Sequence, residues 1–546
     1  MGLASGLSMV AMHQIITAFS MSFMIADVES FEQLPSYLRA LIPLTASLIL
    51  ILIFIILPAK FHSLGVIYVM EQLNHHKGNL SIRKAFVQFL SAIIGLIGGL
   101  SIGKEGPAVH IGSTFGSKVA EYGRLTLQSK ETLIACGAAG AISAAFQTPL
   151  SGILFTLEVI FLGYQTITIL PVILSSVTAM AISQWLLGPI SLFHFDGSTD
   201  FIFNLDNFGA LLVLSIGVAL LAGIFYRIQK ALWSYHSTHV AWRFLVVGIV
   251  TALCAFFVPE TLGIGYDSLE KLLAGESLTN LIIVILLLKI FLTALSTGLG
   301  IPGGLIGPSF IIGSFAGIQV ALWYFTNPSI ELISLFALLG MATMMSTILQ
   351  APLAGLIGII EIYHSSSIIL PAMFVIGIAC VFARTVLKQN SVFVERLKKQ
   401  RLYIKTPHER LWQYQDIDIL TQPLERISTL VSWSQIEKLQ LSMIEYAIIQ
   451  REAYFALVKV ESITDLLKMS DNNDLKNNKD NEQEFIDLLN VLDSMIIQLF
   501  TKAESLENAA KHLTLSDTPF VLIEGSHNSE IRLLKRQHFD QFLLKR

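Results

Sequence analysis

Charge is what this sequence has least of. Only 14% of its 546 residues are Asp, Glu, Lys or Arg, about half the share of a soluble globular protein. The shortage is uneven. Residues 401–546 hold 39 of the 76 charged side chains, leaving 37 for the first 400 residues. That excludes an ordinary water-soluble enzyme: residues 1–400 read as membrane-embedded and 401–546 as soluble. Basic excess is missing too. A net charge of −4 gives no electrostatic footprint for nucleic acid. Cysteine is scarce, and Cys136, Cys254 and Cys380 stand alone in apolar runs, so no metal or disulfide spacing exists and they read as small buried residues. No secretory signal pattern is present: Gly2–Ala26 lacks a basic leader and is too long for a signal core, so it is expected to be a membrane helix.

Long charge-free runs are abundant. They cover Ala40–Ala59, Ala85–Gly103, Val159–Phe195, Ile290–Ile330 and Leu332–Ile360. A membrane helix needs about 20 apolar residues, so Val159–Phe195 and Ile290–Ile330 are too long for one helix each. They carry breaks at Pro171, at Gly188-Pro189 and from Gly300 to Pro308. Short, broken, re-entrant helices are expected, and irregular backbone at membrane depth belongs inside protein or along an aqueous path. This is the pattern of a transporter or channel.

The membrane part repeats. Cys136–Glu158 matches Leu339–Glu361 at an offset of 203, pairing Gly137 with Gly340, Gln147 with Gln350, Pro149 with Pro352 and Glu158 with Glu361. Upstream, Gly106-Pro107 and its helix match Gly307-Pro308 and its helix at an offset of 201. Two related halves are expected, about 1–200 and 205–400, with a site at their interface.

Each half has a glycine-rich turn, then Gly-Pro, then a helical run: Gly103-Lys104-Glu105-Gly106-Pro107 and Gly303-Gly304-Leu305-Ile306-Gly307-Pro308. Proline suits a first helical turn, and the free N–H groups with the positive dipole end make an anion site. Two such starts aimed at one point would hold a small anion and still release it. Glu105 sits at the first of them. A carboxylate there can take the anion's place when ionised and leave when protonated. The second half has Ile306 at that position.

GKEGPAVHIG, the GGLIGP turn and the two QxPLxG helices resemble the CLC family of chloride channels and chloride/proton exchangers, over about residues 1–400. The resemblance implies an all-α polytopic membrane protein with an inverted-repeat fold. It also implies a homodimer in lipid, each subunit with its own chloride path, in the inner or plasma membrane. Glu105 would be the gating glutamate, the amides of Gly103, Lys104, Glu105 and Gly106 would line the outer sites, and those of Leu305 and Ile306 would face the central chloride. Three departures follow. The family's chloride-coordinating serine falls on Leu64, its tyrosine on Phe393, and its internal proton-transfer glutamate on Val159, one residue after Glu158. Loss of both hydroxyls predicts weaker, less discriminating binding at the central site. Val159 favours a passive, voltage- or pH-gated channel. The alternatives are a chloride/proton antiporter, with Glu158 as a substitute carrier, and a non-transporting membrane sensor. Gly2–Ala26 matches the family's second helix, so its first is expected to be absent or upstream. His110 reads as helix packing, and His75-His76 as a solvated connection.

Lys388, Arg396, Lys398, Lys399, Arg401, Lys405 and Arg410 follow the last membrane run, and the positive-inside rule places the tail in the cytoplasm. In it, 470–484 reads as a charged linker between two similar pieces, about 423–467 and 497–545. The second reads helix, strand (519–525), turn, strand (530–534), helix. The first reads helix, strand (455–461), helix. These resemble a degenerate pair of CBS modules, which would dimerise; whether they take a nucleotide is left open. No HExxH or GxSxG occurs, so no enzyme is expected, nor any metal or cofactor; chloride is the expected cargo.

Overall fold

The computed structural model describes residues 1–22, 31–163, 168–189, 205–273, 281–364, 366–400 and 402, and strands of the tail between 422 and 535. The chain divides into Met1–Lys405 and Thr406–Arg546.

The described helices of the first unit are α1 (Gly2–Ser22), α2 (Ser36–Ile56), α3 (Gly65–His75), α4 (Ile82–Ile97), α5 (Glu105–Tyr122), α6 (Leu127–Phe146), α7 (Pro149–Phe155), α8 (Ile169–Leu187), α9 (Leu205–Leu232), α10 (Val240–Phe257), α11 (Tyr266–Leu273), α12 (Ile282–Leu299), α13 (Ile306–Tyr324), α14 (Ile330–Leu349), α15 (Pro352–Tyr363), α16 (Ile369–Thr385) and α17 (Val392–Lys399). Eight of them are long and apolar enough to cross a membrane. Helices α13 and α14 are buried over most of their length. By contrast α2 turns Leu48, Leu52 and Ile55 outward, and α8 turns Leu170 and Leu174 outward. An apolar surface of this kind suits lipid.

The long runs break where glycine permits and not always where proline stands. Ile290–Ile330 splits into α12 and α13, with Gly300 at φ +93° between them. In Val159–Phe195 the break falls just ahead of Pro171, which lies in the first turn of α8, where its missing N–H costs nothing. Glu158 sits in a π-helical turn, Thr156–Ile160, that ends α7.

The repeat is visible in packing. A Cβ on Gly112 of α5 would strike the carbonyl of Gly137 of α6, and the converse holds; Gly313 of α13 and Gly340 of α14 form the matching pair. Small residues let membrane helices approach backbone to backbone. Helices α6 and α14 both end on a left-handed glutamine, Gln147 and Gln350, each at φ 55°.

In the tail, one sheet orders Glu425–Ile427, Tyr446–Arg451, Tyr454–Lys459 and Met495–Ile497; another orders Leu499–Phe500, Phe520–Glu524, Ile531–Lys535 and Gln422–Pro423. Each pairs parallel, then antiparallel, then antiparallel. The expected strands near 455–461, 519–525 and 530–534 correspond to described strands. Tyr446–Arg451 is a strand where the sequence reading has helix. Its two adjacent isoleucines are β-branched, and it pairs through a short turn with Tyr454–Lys459. The expected tail helices and the 470–484 linker lie outside the described residues.

Candidate functional site: two helix starts meeting over a carboxylate

The two glycine-rich turns touch. Gly103 N–H donates to the Gly304 carbonyl at 2.7 Å, and Gly304 N–H to the Gly103 carbonyl at 2.7 Å. This antiparallel bridge joins residues at the repeat offset of 201, so the halves meet through equivalent backbone. A Cβ on Gly106 would lie 2.7 Å from the Gly303 carbonyl oxygen, which excludes any side chain there. Helices α5 and α13 start beside this bridge, so two positive dipole ends converge.

Glu105 is the first residue of α5 and is buried, 1% exposed. Its side chain serves two helix starts, its own and that of the opposite half. Oε1 accepts a hydrogen bond from Gly307 N–H, in the first turn of α13, at 3.0 Å. The amides of Ile306 and of Glu105 itself also face the carboxylate. The carboxylate of one half therefore occupies the anion-binding helix start of the other. The sequence reading singled out Leu305 and Ile306 but missed Gly307, although its Gly-Pro spacing marked the turn. Lys104, at the N-cap of α5, sets its ammonium over the Phe146 ring at 5.5 Å.

A cavity of about 320 Å³ is lined by Glu105 and Gly106 together with Leu64, Leu305, Ile306, Phe393 and Arg396. Leu64 is the N-cap of α3 and offers no side-chain cap. Gly65 follows at φ +75°, and its N–H donates to His110 Nδ1 at 3.2 Å. His110 is thus more than filler: it receives the first amide of α3, and its ring packs on Tyr68 at 4.9 Å. Phe393, in the first turn of α17, is buried. The cavity thus brings together Glu105, Leu64 and Phe393, the last two being the positions where the resemblance leads us to expect a hydroxyl. His75 and His76 are exposed, at the end of α3. Among the described residues, no three His, Cys, Asp or Glu gather to hold a metal.

Val159 is buried in the apolar core. Glu158 reaches across to the start of α15, where Leu353 N–H and Ala354 N–H donate to its two oxygens at 3.3 and 2.8 Å. Glu361 reaches back to α7, where Leu150 and Ser151 N–H donate at 2.8 Å each. Each repeat partner caps a helix of the other half.

Paired helix starts from repeated halves, meeting at membrane depth over a carboxylate, define a membrane anion-transport protein. The profile of the family described as Voltage gated chloride channel matches residues 40–384. The chain belongs to that family, the CLC proteins, and its function is CLC-type chloride transport across a membrane in which it is an integral multi-pass protein. CLC proteins are channels and transporters, not enzymes. The chain is 28% identical over 334 residues to a voltage-gated ClC-type chloride channel, ClcB, of Escherichia coli O17:K52:H18, covering 59% of this chain and 78% of that one. It is 26% identical over 340 residues to an H(+)/Cl(−) exchange transporter, ClcA, of Vibrio cholerae serotype O1, covering 58% and 70%. Its fold is similar to that of a slow cyanobacterial Cl−/H+ antiporter, with TM-score 0.62, 19% identity and coverage of 73% and 96%. It is similar also to a eukaryotic CLC transporter, with TM-score 0.61, 16% identity and coverage of 98% and 96%.

Proposed function

We propose that this protein is a chloride channel gated by Glu105, in which chloride moves passively and protons do not follow stoichiometrically. The observation that carries the gate is the Glu105 carboxylate on the Gly307 amide. An ionised carboxylate fills the place a chloride ion would take. When protonated it loses its attraction for the positive end of α13 and yields the site. The preference for a channel rests on Val159, which is buried among apolar side chains and cannot carry a proton, and on Glu158, whose oxygens both hold backbone amides of α15. Relatives of both kinds are known, a channel and an exchanger, so family membership alone leaves the two open. By the family likeness the chain pairs as a homodimer with one path per subunit, and its tail lies on the cytoplasmic side as a CBS-like dimerising pair.

The test is chloride efflux from liposomes containing the purified protein, wild type and Glu105→Ala. Efflux in the wild type that rises in the variant supports the gate. No efflux from either would overturn the transport reading, and equal, pH-sensitive efflux from both would remove Glu105 as the gate.

A further inference from the structure

A second cavity, of about 400 Å³, opens among α1, α2 and α4 and shares no lining residue with the cavity at Glu105. Ala46 and Ile93 in its lining are buried, whereas Phe19 of α1, Ile49 of α2 and Phe86 of α4 are 47–65% exposed. It is therefore a groove with a buried floor, open on the apolar outside of the membrane unit. Ser20 and Thr45 carry the only hydroxyls in the lining, and Thr45 donates its own back to the Ile42 carbonyl at 2.8 Å. Concave apolar surface of this size binds ligands, and this one suits hydrocarbon, since it gives a polar group little to hold.

Length and charge say which hydrocarbon. Helix α4 contributes one stripe, Phe86, Leu90, Ile93 and Ile97, and the lining continues to Gly98. From Phe86 to Gly98 is about 18 Å at 1.5 Å per residue, close to the ~15 Å depth of hydrocarbon in one leaflet. The stripe begins three residues after Arg83, which shares its face of the helix. Arg83 is exposed, and no partner holds its guanidinium among the described residues. The neighbouring Lys84 is used elsewhere, with its ammonium over the Tyr68 ring at 4.0 Å. A guanidinium presents a fork of donors that matches a phosphate. Helix α4 thus descends from a polar, basic connection toward the Gly103 turn at membrane depth, with a free cation at its head and an apolar groove below. That is the layout of a phospholipid: charged headgroup at the surface, chain beneath.

We propose that this groove holds one acyl chain of an anionic phospholipid from the surrounding bilayer, with the lipid phosphate on Arg83 and the chain lying along α4 toward Gly98. The lipid completes the packing of α1, α2 and α4 where the protein leaves a hollow. The site uses no residue of the chloride path, so it stands whether chloride moves alone or with protons.

The test is native mass spectrometry of the full-length protein in detergent, titrated with dioleoylphosphatidylglycerol and, separately, with zwitterionic dioleoylphosphatidylcholine. The wild type should take up one phosphatidylglycerol per chain, saturably and about tenfold more tightly than phosphatidylcholine, as expected for one charge-assisted hydrogen bond. Arg83→Gln should bring phosphatidylglycerol level with phosphatidylcholine, while Arg83→Lys keeps most of the preference. Thr45→Phe fills the groove and should weaken both lipids several-fold. Should Thr45→Phe fail to fold, Arg83→Gln, at an exposed position, decides the matter. Phosphatidylglycerol loading that is the same in the wild type and both variants would mean ordinary surrounding lipid and overturns the proposal. Oleate that displaces phosphatidylglycerol at equal concentration would assign the groove to a free fatty acid, and a Thr45→Phe protein that loses its oligomeric state while keeping its lipid would assign it to a second copy of the chain; either result overturns the phospholipid.

Discussion

At the scale of single residues, the molecule turns on a carboxylate used in an unusual place. An acidic first residue normally stabilises its own helix alone, but Glu105 is held by the helix start of the opposite half as well. The sign of its pH dependence follows. In the proposed gate, the ionised group holds the α13 amides at high pH and shuts the path; as pH falls and the group becomes neutral, flux is expected to rise. Glu105→Gln, which mimics the protonated form, should give high flux that is flat between acid and neutral pH. A wild-type pH profile surviving in that variant would contradict the assignment. Leu64 makes a second prediction. Leu64→Ser restores a hydroxyl at the α3 start, and one hydrogen bond to an anion should lower the half-saturating chloride concentration by about tenfold; an unchanged value would mean that the ion does not pass this position.

Much of this was legible in the sequence, because a carboxylate is scarce at membrane depth and the glycine-proline turn beside it repeats at an offset of 201. Not legible was which amide Glu105 would find. Gly307 is distant in sequence and becomes its neighbour only through the Gly103–Gly304 bridge. Nor was the burial of Arg396 legible: it stands among basic residues after the last membrane run, and only the fold of α17 sets its guanidinium over the Trp233 ring.

At the scale of elements, reciprocity is the rule. Helices α5 and α13 start against each other. The α5–α6 and α13–α14 crossings use matched glycines, and Glu158 and Glu361 exchange caps with α15 and α7. The repeat in sequence announced paired roles for the two glutamates, but the exchange needed the fold. Equivalence gives a prediction. Glu158→Gln and Glu361→Gln each remove a charge from a helix start and should each destabilise the protein by about 1 kcal/mol, read as similar drops in melting temperature, with chloride efflux retained in both. A Glu158 variant that melts like wild type but alters proton movement would instead mark Glu158 as a proton carrier.

At the scale of the whole molecule, few charges cross the membrane region and most of those described are committed. Lys289 is buried, with its ammonium donating to the carbonyls of Leu262, Gly263 and Ile264 at 2.8–3.0 Å. Glu158 and Glu361 hold amides, and Glu105 holds the helix start. By the family likeness a proton carrier would stand at Val159, which is buried in the apolar core. The central claim, passive chloride movement through a Glu105-gated path, is therefore tested most directly by recording chloride efflux and external pH together. The vesicles carry the wild-type protein, with a potassium ionophore to release the membrane potential. Passive movement gives chloride efflux with no matching rise in external pH; alkalinisation in fixed proportion to chloride, abolished in Glu158→Gln, would contradict it.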